Sequence, residues 1–408
     1  MKHSIDSKIK ELYESGSNND SFSGVDFLDL DDLLTDEQKL VKNTTRDFVK
    51  NRISPIINWC AQENHFPYHL VKELGEIGAF GPQLPNEFGA GGLDYISYGL
   101  MMQEIERGDS GIRSTASVQG SLVMYPISKF GSTEQKEKYI SKLSSGDFLG
   151  SFGLTEPDHG SNPAGMTTHF TSEGDFIKLN GAKTWISNSP FCDVAVVWAK
   201  DENGKVHGVL VDRDTIGFST PEISNKWSLR ASTTGELVFE DCLIHKSQIL
   251  PNVSGMKGPL TCLNSARYGI CWGVIGAAMD CYDTAKKYSL ERQQFNKPIA
   301  SFQLQQKKLA EMLTQITQAQ LLAWRVGVLM DQGKATPAQI SMAKRNNVEM
   351  ALNVARESRQ ILGGMGISGD YSIMRHMMNL ESVITYEGTH DIHLLILGME
   401  ITGINAFI

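Results

Sequence analysis

Apolar residues recur at helical spacing through the first and last thirds of the chain, with short strand-like runs between them. Thr35 is placed to cap a helix over 36–51, which should end before Pro55 because the residue preceding a proline is pushed out of the helical region. Further helical runs are predicted over 68–78, 95–106, 110–130 and 133–143, with Gly89-Ala90-Gly91-Gly92 as a loop. The texture changes at Gly150. Short β runs follow over 176–179, 183–186, 194–198, 208–211 and 237–239, and Asn180-Gly181 reads as a hairpin turn because both residues tolerate positive φ. From Thr261 the helical period returns: Leu309, Leu313, Ile316 and Ala323 line one face, Pro337 opens a helix that stops at Gly363-Gly364, and Thr389 is placed to cap the last helix, over 390–402.

The order helices, then strands, then helices is not the βαβ alternation of a dinucleotide-binding fold. It predicts an α+β multidomain protein. The expected divisions are a flexible segment at 1–25, a helical domain at 26–149, a β-barrel or sandwich at 150–260 and a helical bundle at 261–408. No internal repeat is visible.

Composition narrows the classes. With 408 residues, 41% hydrophobic and 21% charged, the chain is a well-cored globular protein, not a disordered segment or a disulfide scaffold. A net charge of −9 argues against a nucleic-acid footprint while leaving room for a local basic pocket. The six cysteines are scattered without zinc spacing and read as reduced, buried side chains. The apolar stretch 268–279 is shorter than the ~20 residues that span a bilayer, so no membrane insertion is expected. The first 45 residues contain no Arg and no apolar run, which predicts a cytoplasmic protein without a transit or secretory signal.

Several motifs invite chemistry. Gly364-Met365-Gly366-Ile367-Ser368-Gly369 satisfies G-x-G-x-x-G, but a dinucleotide fingerprint needs a preceding strand, and here a helix precedes. Glu387-Gly388-Thr389-His390 matches the Glu-x-x-His of di-iron bundles, yet the inward carboxylates of such sites are missing and no metal is expected. Arg113, in the Ser-rich start of a helix, is either a surface ion-pair partner or a carboxylate clamp, since a guanidinium fork binds a carboxylate bidentately. The loop Phe152-Gly153-Leu154-Thr155-Glu156-Pro157 with Gly160-Ser161 offers amides and hydroxyls to a phosphate or a heteroaromatic ring, on which Trp185 in Trp185-Ile186-Ser187 could stack; ordinary turn chemistry explains the same residues. Glu387 lies at an element boundary, where catalytic groups concentrate.

Taken together, these stretches resemble the acyl-CoA dehydrogenase superfamily, most of all its glutaryl-CoA branch. The likeness covers nearly the whole chain after residue 25. It is densest at Glu104 to Ser114, Phe152 to Pro157, Lys183 to Pro190, Leu263 to Ile270 and Thr385-Tyr386-Glu387-Gly388-Thr389-His390-Asp391-Ile392-His393. The resemblance implies FAD held among three domains in a homotetramer, with electrons passed to an electron-transferring flavoprotein. It implies Glu387 as the base that takes the α-proton of an acyl thioester while the β-hydrogen leaves as hydride to the flavin. Arg113, Ser114 and Glu106 would hold the distal carboxylate of glutaryl-CoA; Ser161, Asn264, Arg267, Tyr386 and Gly388 would face the substrate. Phe152, Leu154, Thr155, Ser161, Trp185, Ile186 and Ser187 would line the flavin ring. Arg292, Phe295, Gln303, Gln360, Gly363, Gly364, Thr389 and Asp391 would hold its pyrophosphate and adenosine, partly across a subunit interface. Tyr386 and Glu106 resemble the decarboxylating branch, which releases crotonyl-CoA and CO2; short-chain acyl-CoA dehydrogenases or oxidases and a non-decarboxylating enzyme are the alternatives. Asn162, Asn296 and Met365 depart from the family pattern.

Overall fold

The structure, a computed structural model, describes residues 24–407, so the flexible segment expected at 1–25 falls almost wholly outside it. The first third is helical: α1 (Asp36–Phe48), α2 (Ser54–Glu63), α3 (His69–Glu76), α4 (Tyr95–Gly108), α5 (Ser110–Ser117), α6 (Tyr125–Phe130) and α7 (Thr133–Ser144). Thr35 and Gln38 form a reciprocal capping box at α1, through bonds of 3.2 and 3.0 Å. The helix does not end before Pro55 as the sequence suggested. A π turn at Val49–Ile53 carries it into α2, where Pro55 occupies the first turn and needs no N–H partner.

The middle third forms β1 (Gly150–Gly153), β2 (His169–Glu173), β3 (Phe176–Ser187), β4 (Val194–Lys200), β5 (Val206–Asp212), β6 (Phe218–Ser219) and β7 (Thr234–His245). They make one curled seven-stranded sheet in the order β1-β4-β2-β3-β7-β6, with β5 also pairing with β4. β4 is buried on both faces: Val194, Val196 and Trp198 join the main core, while Ala195, Val197 and Ala199 join a second apolar cluster inside the sheet. That double burial explains its unbroken apolar run.

The expected hairpin at Asn180-Gly181 is absent. β3 runs unbroken through it, with a bulge where pairing to β7 slips between Leu179 and Gly181. The Asn180 amide instead exchanges hydrogen bonds with Asp241, at 3.1 and 2.9 Å. Gly181 has φ +137°, and a Cβ there would lie 2.7 Å from the Thr168 backbone. The real turn is Gly174-Asp175 between β2 and β3, with Gly174 at φ +57°.

The last third packs α8 (Lys257–Glu291), α9 (Gln303–Asp331), α10 (Pro337–Ile361) and α11 (Ile373–Val383) into the same core as the first helices, and α12 (His390–Thr402) packs on α10. α8 passes so close to α4 that a Cβ at Gly276 would sit 1.8 Å from the Gln103 carbonyl oxygen. The glycine-rich segment after α10 is a 3-10 turn, Gly363–Ile367, preceded by helix. All six cysteines are free and buried. No helix among the described residues is long and apolar enough to cross a membrane.

Candidate active site

The sequence left Arg113 between surface and pocket; the structure buries it completely. It stands on α5, whose N-terminus is capped by Asp109 through the Gly111 amide at 2.7 Å. Asp109 is itself fixed by Arg375 at 2.6 Å and Asn379 at 2.9 Å, both from α11. From this anchored turn Arg113 donates through Nε to Glu106 of α4 at 2.6 Å and through Nη2 to the Tyr386 hydroxyl. Its Nη1 has no partner, nor does Oε1 of Glu106. Burial alone would lower the guanidinium's pKa, but Glu106 and the groups beyond it outweigh that, so it stays charged. A fully buried cation with an unengaged N–H face is costly unless an anion completes it. Ser114, adjacent on α5, is also buried.

Tyr386 leads into a tight turn that carries Glu387 at φ +54°, in the left-handed region, and Gly388 at φ +98°. Buried basic groups hold this turn from beneath. Lys344 of α10 donates to the Tyr386 carbonyl at 3.1 Å and the Gly388 carbonyl at 2.9 Å; Arg267 of α8 donates to the Glu387 carbonyl at 2.7 Å and to Asn264 at 3.2 Å. The His393 ring packs under Gly388, where a Cβ would meet it at 2.9 Å. Oε2 of Glu387 has no partner. Burial raises its carboxyl pKa, with Arg113, Lys344 and Arg267 pulling the other way. A carboxylate placed so, half-buried and uncommitted, is suited to accept a proton.

A second surface lies at the sheet's end. Phe152, Leu154 and Ile186 are buried there; Thr155 and Ser187 are half-exposed, and Trp185 stands 61% exposed at φ +60°. The Thr184 amide donates to the Thr155 carbonyl at 2.9 Å, tying the loop to β3. Beneath, Lys183 donates to Glu156 at 2.8 Å, and Glu156 accepts the Thr167 and Thr168 amides at 2.6 and 2.9 Å. Burial works against ionised Glu156, but Lys183 and these donors hold its pKa down to about 2. A flat aromatic face beside hydroxyls and amides suits a planar heteroaromatic ring. Ser161 lies on the exposed loop beyond.

Of the remaining predicted residues, Thr389 and Asp391 follow the Glu387 turn directly and the others lie on two exposed segments away from it. Arg292, Phe295 and Gln303 surround an exposed two-stranded tip between α8 and α9, formed by Gln293–Gln294 and Lys297–Pro298; Phe295 is 86% exposed, and Asn296 has φ +59°. Gln360, Gly363 and Gly364 are exposed at the end of α10, joined to α9 where Lys308 donates to Gln360. Thr389 caps α12 through the Ile392 amide at 3.2 Å, and Asp391 follows it, exposed. Among the described residues no cluster of three His, Cys, Asp or Glu side chains is arranged to hold a metal.

Three family models cover most of the chain: the acyl-CoA dehydrogenase N-terminal domain at residues 35–147, the middle domain at 151–242 and the C-terminal domain at 254–402. The chain belongs to the acyl-CoA dehydrogenase family. The crystal structure of glutaryl-CoA dehydrogenase from Mycobacterium smegmatis is 46% identical, with TM-score 0.92 over 94% of this chain and 100% of that one. A second structure of that enzyme, in complex with FADH2, is 45% identical with TM-score 0.93 over 95% of this chain and 100% of the other. Among curated relatives, the short-chain specific acyl-CoA dehydrogenase of Homo sapiens is 36% identical over 89% of this chain and 90% of its own length. The glutaryl-CoA dehydrogenase of Desulfococcus multivorans is 34% identical over 91% and 98%.

Placed in an acyl-CoA dehydrogenase, Lys344 at the Glu387 turn escapes a reading of the sequence, and His393 stands in the motif over 385–393 without an assigned role. Lys344 sits in Ala343-Lys344-Arg345, which looks like ordinary helix-surface charge, yet it is 1% exposed. His393 is fully buried with neither ring nitrogen partnered, and burial lowers its pKa to about 3. Lys344 serves a turn 42 residues further along the chain, which no local motif marks.

Proposed function

We propose that this protein oxidises glutaryl-CoA and decarboxylates the product to crotonyl-CoA and CO2. The observation that carries this reading is Arg113: a fully buried guanidinium, braced by Glu106, with Nη1 uncommitted and its other arm on Tyr386, next to the unengaged carboxylate of Glu387. That spacing suits an acyl chain with a carboxylate at its far end. A monocarboxylic chain would leave the buried Nη1 donor unsatisfied.

In this reading Arg113, with Ser114 and Glu106, anchors the distal carboxylate. Ser161, Asn264, Arg267 and Gly388 border the rest of the substrate. Glu387 removes the α-proton, and its own amide N–H steadies the charge that develops on the thioester oxygen. FAD, held by Phe152, Leu154, Thr155, Ser161, Trp185, Ile186 and Ser187 at its ring and by Arg292, Phe295, Gln303, Gln360, Gly363, Gly364, Thr389 and Asp391 at its pyrophosphate and adenosine, supplies the two-electron oxidant. The unsaturated dicarboxylic thioester then loses CO2 because the carbanion left at the γ-carbon is delocalised into the thioester; a proton returned to that carbon gives crotonyl-CoA, and Tyr386 stands beside that end of the chain. The exposed tip bearing Phe295 supports a homotetramer with cofactor contacts shared between subunits. An electron-transferring flavoprotein is the proposed acceptor.

Arg113→Met tests the clamp. The expected result is a loss on the order of 10²-fold or more in kcat/KM for glutaryl-CoA, the scale of a lost charge-assisted pair, against a small change for butyryl-CoA. Equal losses on both substrates would remove Arg113 from substrate recognition. The 36% identity to the human short-chain enzyme favours one second reading, a short-chain acyl-CoA dehydrogenase. A parent enzyme that prefers butyryl-CoA would establish it.

A further inference from the structure

The ammonium of Lys344 is a buried charge that the proposed chemistry leaves without a task. It is 1% exposed, and its hydrogen bonds go to the carbonyls of Tyr386 and Gly388, one on each side of Glu387. With Arg267 on the Glu387 carbonyl, all three successive carbonyls of this turn are taken by cations from two different helices, α8 and α10. The turn needs such restraint, because Glu387 is a non-glycine residue in the left-handed region. Among the described residues no backbone or side-chain group accepts from the Glu387 amide, whereas its carbonyl is fixed.

We propose that Lys344 is a positioning residue for Glu387: by drawing the carbonyls on both sides of the turn toward α10, it sets the direction of the Glu387 carboxylate and leaves the Glu387 amide free to meet the thioester oxygen. It also sets the charge the base experiences. The groups facing Glu387 are Tyr98 from α4, Arg113 from α5, Arg267 and Cys271 from α8, Lys344 from α10 and Tyr386 beside it, with Glu106 behind Arg113 and His393 beneath Gly388. Of the cations, Arg113 is paired with Glu106, while Lys344 bonds only to uncharged carbonyls. Burial brings Lys344 down to about 7, against the pull of Glu387, so it carries its charge on the acid side of that value. The inference rests on Glu387 as the base.

The test uses the full-length, FAD-loaded enzyme and follows bleaching of the flavin by glutaryl-CoA as a function of pH. Lys344→Met should bind FAD and still slow bleaching on the order of 10²-fold, the scale of a lost preorganised donor. The loss should lie in kcat with little change in KM, and the acid limb should move to higher pH because a cation favouring ionised Glu387 is gone. Lys344→Arg should restore the parent limb. If the Met variant does not hold FAD, Lys344→Gln decides: it keeps a donor but not the charge, so its limb should still move up. A Met or Gln variant with the parent's rate and limb would overturn the proposal and leave Lys344 a structural residue. Failure of glutaryl-CoA to bleach the parent would instead overturn the reading of the site itself.

Discussion

At Glu387 the desolvating surroundings raise the carboxyl pKa, and the cations Arg113, Lys344 and Arg267 restrain that rise. Glu387→Gln is expected to retain FAD and lose flavin bleaching by glutaryl-CoA by about 10²–10⁴-fold, the usual contribution of a positioned base; a variant with near-parent bleaching would take the role away from Glu387. Buried groups also set the protein's acid tolerance. His393 is held down to about 3 from the usual 6.5, and Glu156 to about 2 from 4.5, so in both cases the unfolded chain binds the proton first. Stability should therefore be full above pH 6.5, fall first as His393 of the unfolded chain protonates, and fall further below pH 4.5 as Glu156 does. Denaturant midpoints measured across pH 3–8 check this, and His393→Phe should flatten the upper part of the decline. Glu387 and Arg113 were legible because their neighbours form dense motifs. Lys344 was not, because it acts on the backbone of a turn more than 40 residues away and looks locally like helix surface.

Elements were legible where their signals are local. Thr35 and Thr389 both cap the helices their sequence context predicts, and Pro337 opens α10. Asn180-Gly181 misled because a hairpin and a bulge ask for the same residues; Asp241 and Thr168, far away in sequence, decide between them. Pro55 misled because a π turn set it in a first turn. The approach of α8 to α4 was invisible for a similar reason, and it bears on specificity. A Cβ at Gly273 of α8 would lie 2.1 Å from Oε2 of Glu106 and 3.1 Å from Nε of Arg113. Gly273→Ala adds helix propensity but must push apart the pair that braces the clamp. Its expected signature is a drop of tenfold or more in the glutaryl-CoA to butyryl-CoA ratio of kcat/KM, on the order of the ~1.4 kcal/mol that a displaced charge pair readily exceeds. An unchanged ratio would show that Glu106 and Arg113 tolerate the shift without loss of recognition.

Across the whole molecule, the order of helices, sheet and helices was readable from periodicity alone, and it places the Glu387 turn where α4, α5, α8, α10 and α12 converge. Apolar side chains left exposed at Phe295 and Leu304, and at Ile401 and Ile404 near the end of α12, are the surfaces on which the proposed tetramer would close. Phe295→Asp is expected to reduce both the tetramer fraction in light scattering and the bound FAD, since the same tip is assigned to cofactor and subunit contacts; a monodisperse tetramer with full flavin would separate the tip from assembly. The most direct measurement of the central claim is the mass of the CoA product when the purified, FAD-loaded protein is mixed with glutaryl-CoA and an artificial electron acceptor. Arg113, Tyr386 and Glu387 acting as proposed yield crotonyl-CoA. Glutaconyl-CoA would contradict the decarboxylation, and unchanged glutaryl-CoA alongside turnover of butyryl-CoA would contradict the assignment of the buried arginine to a dicarboxylic substrate.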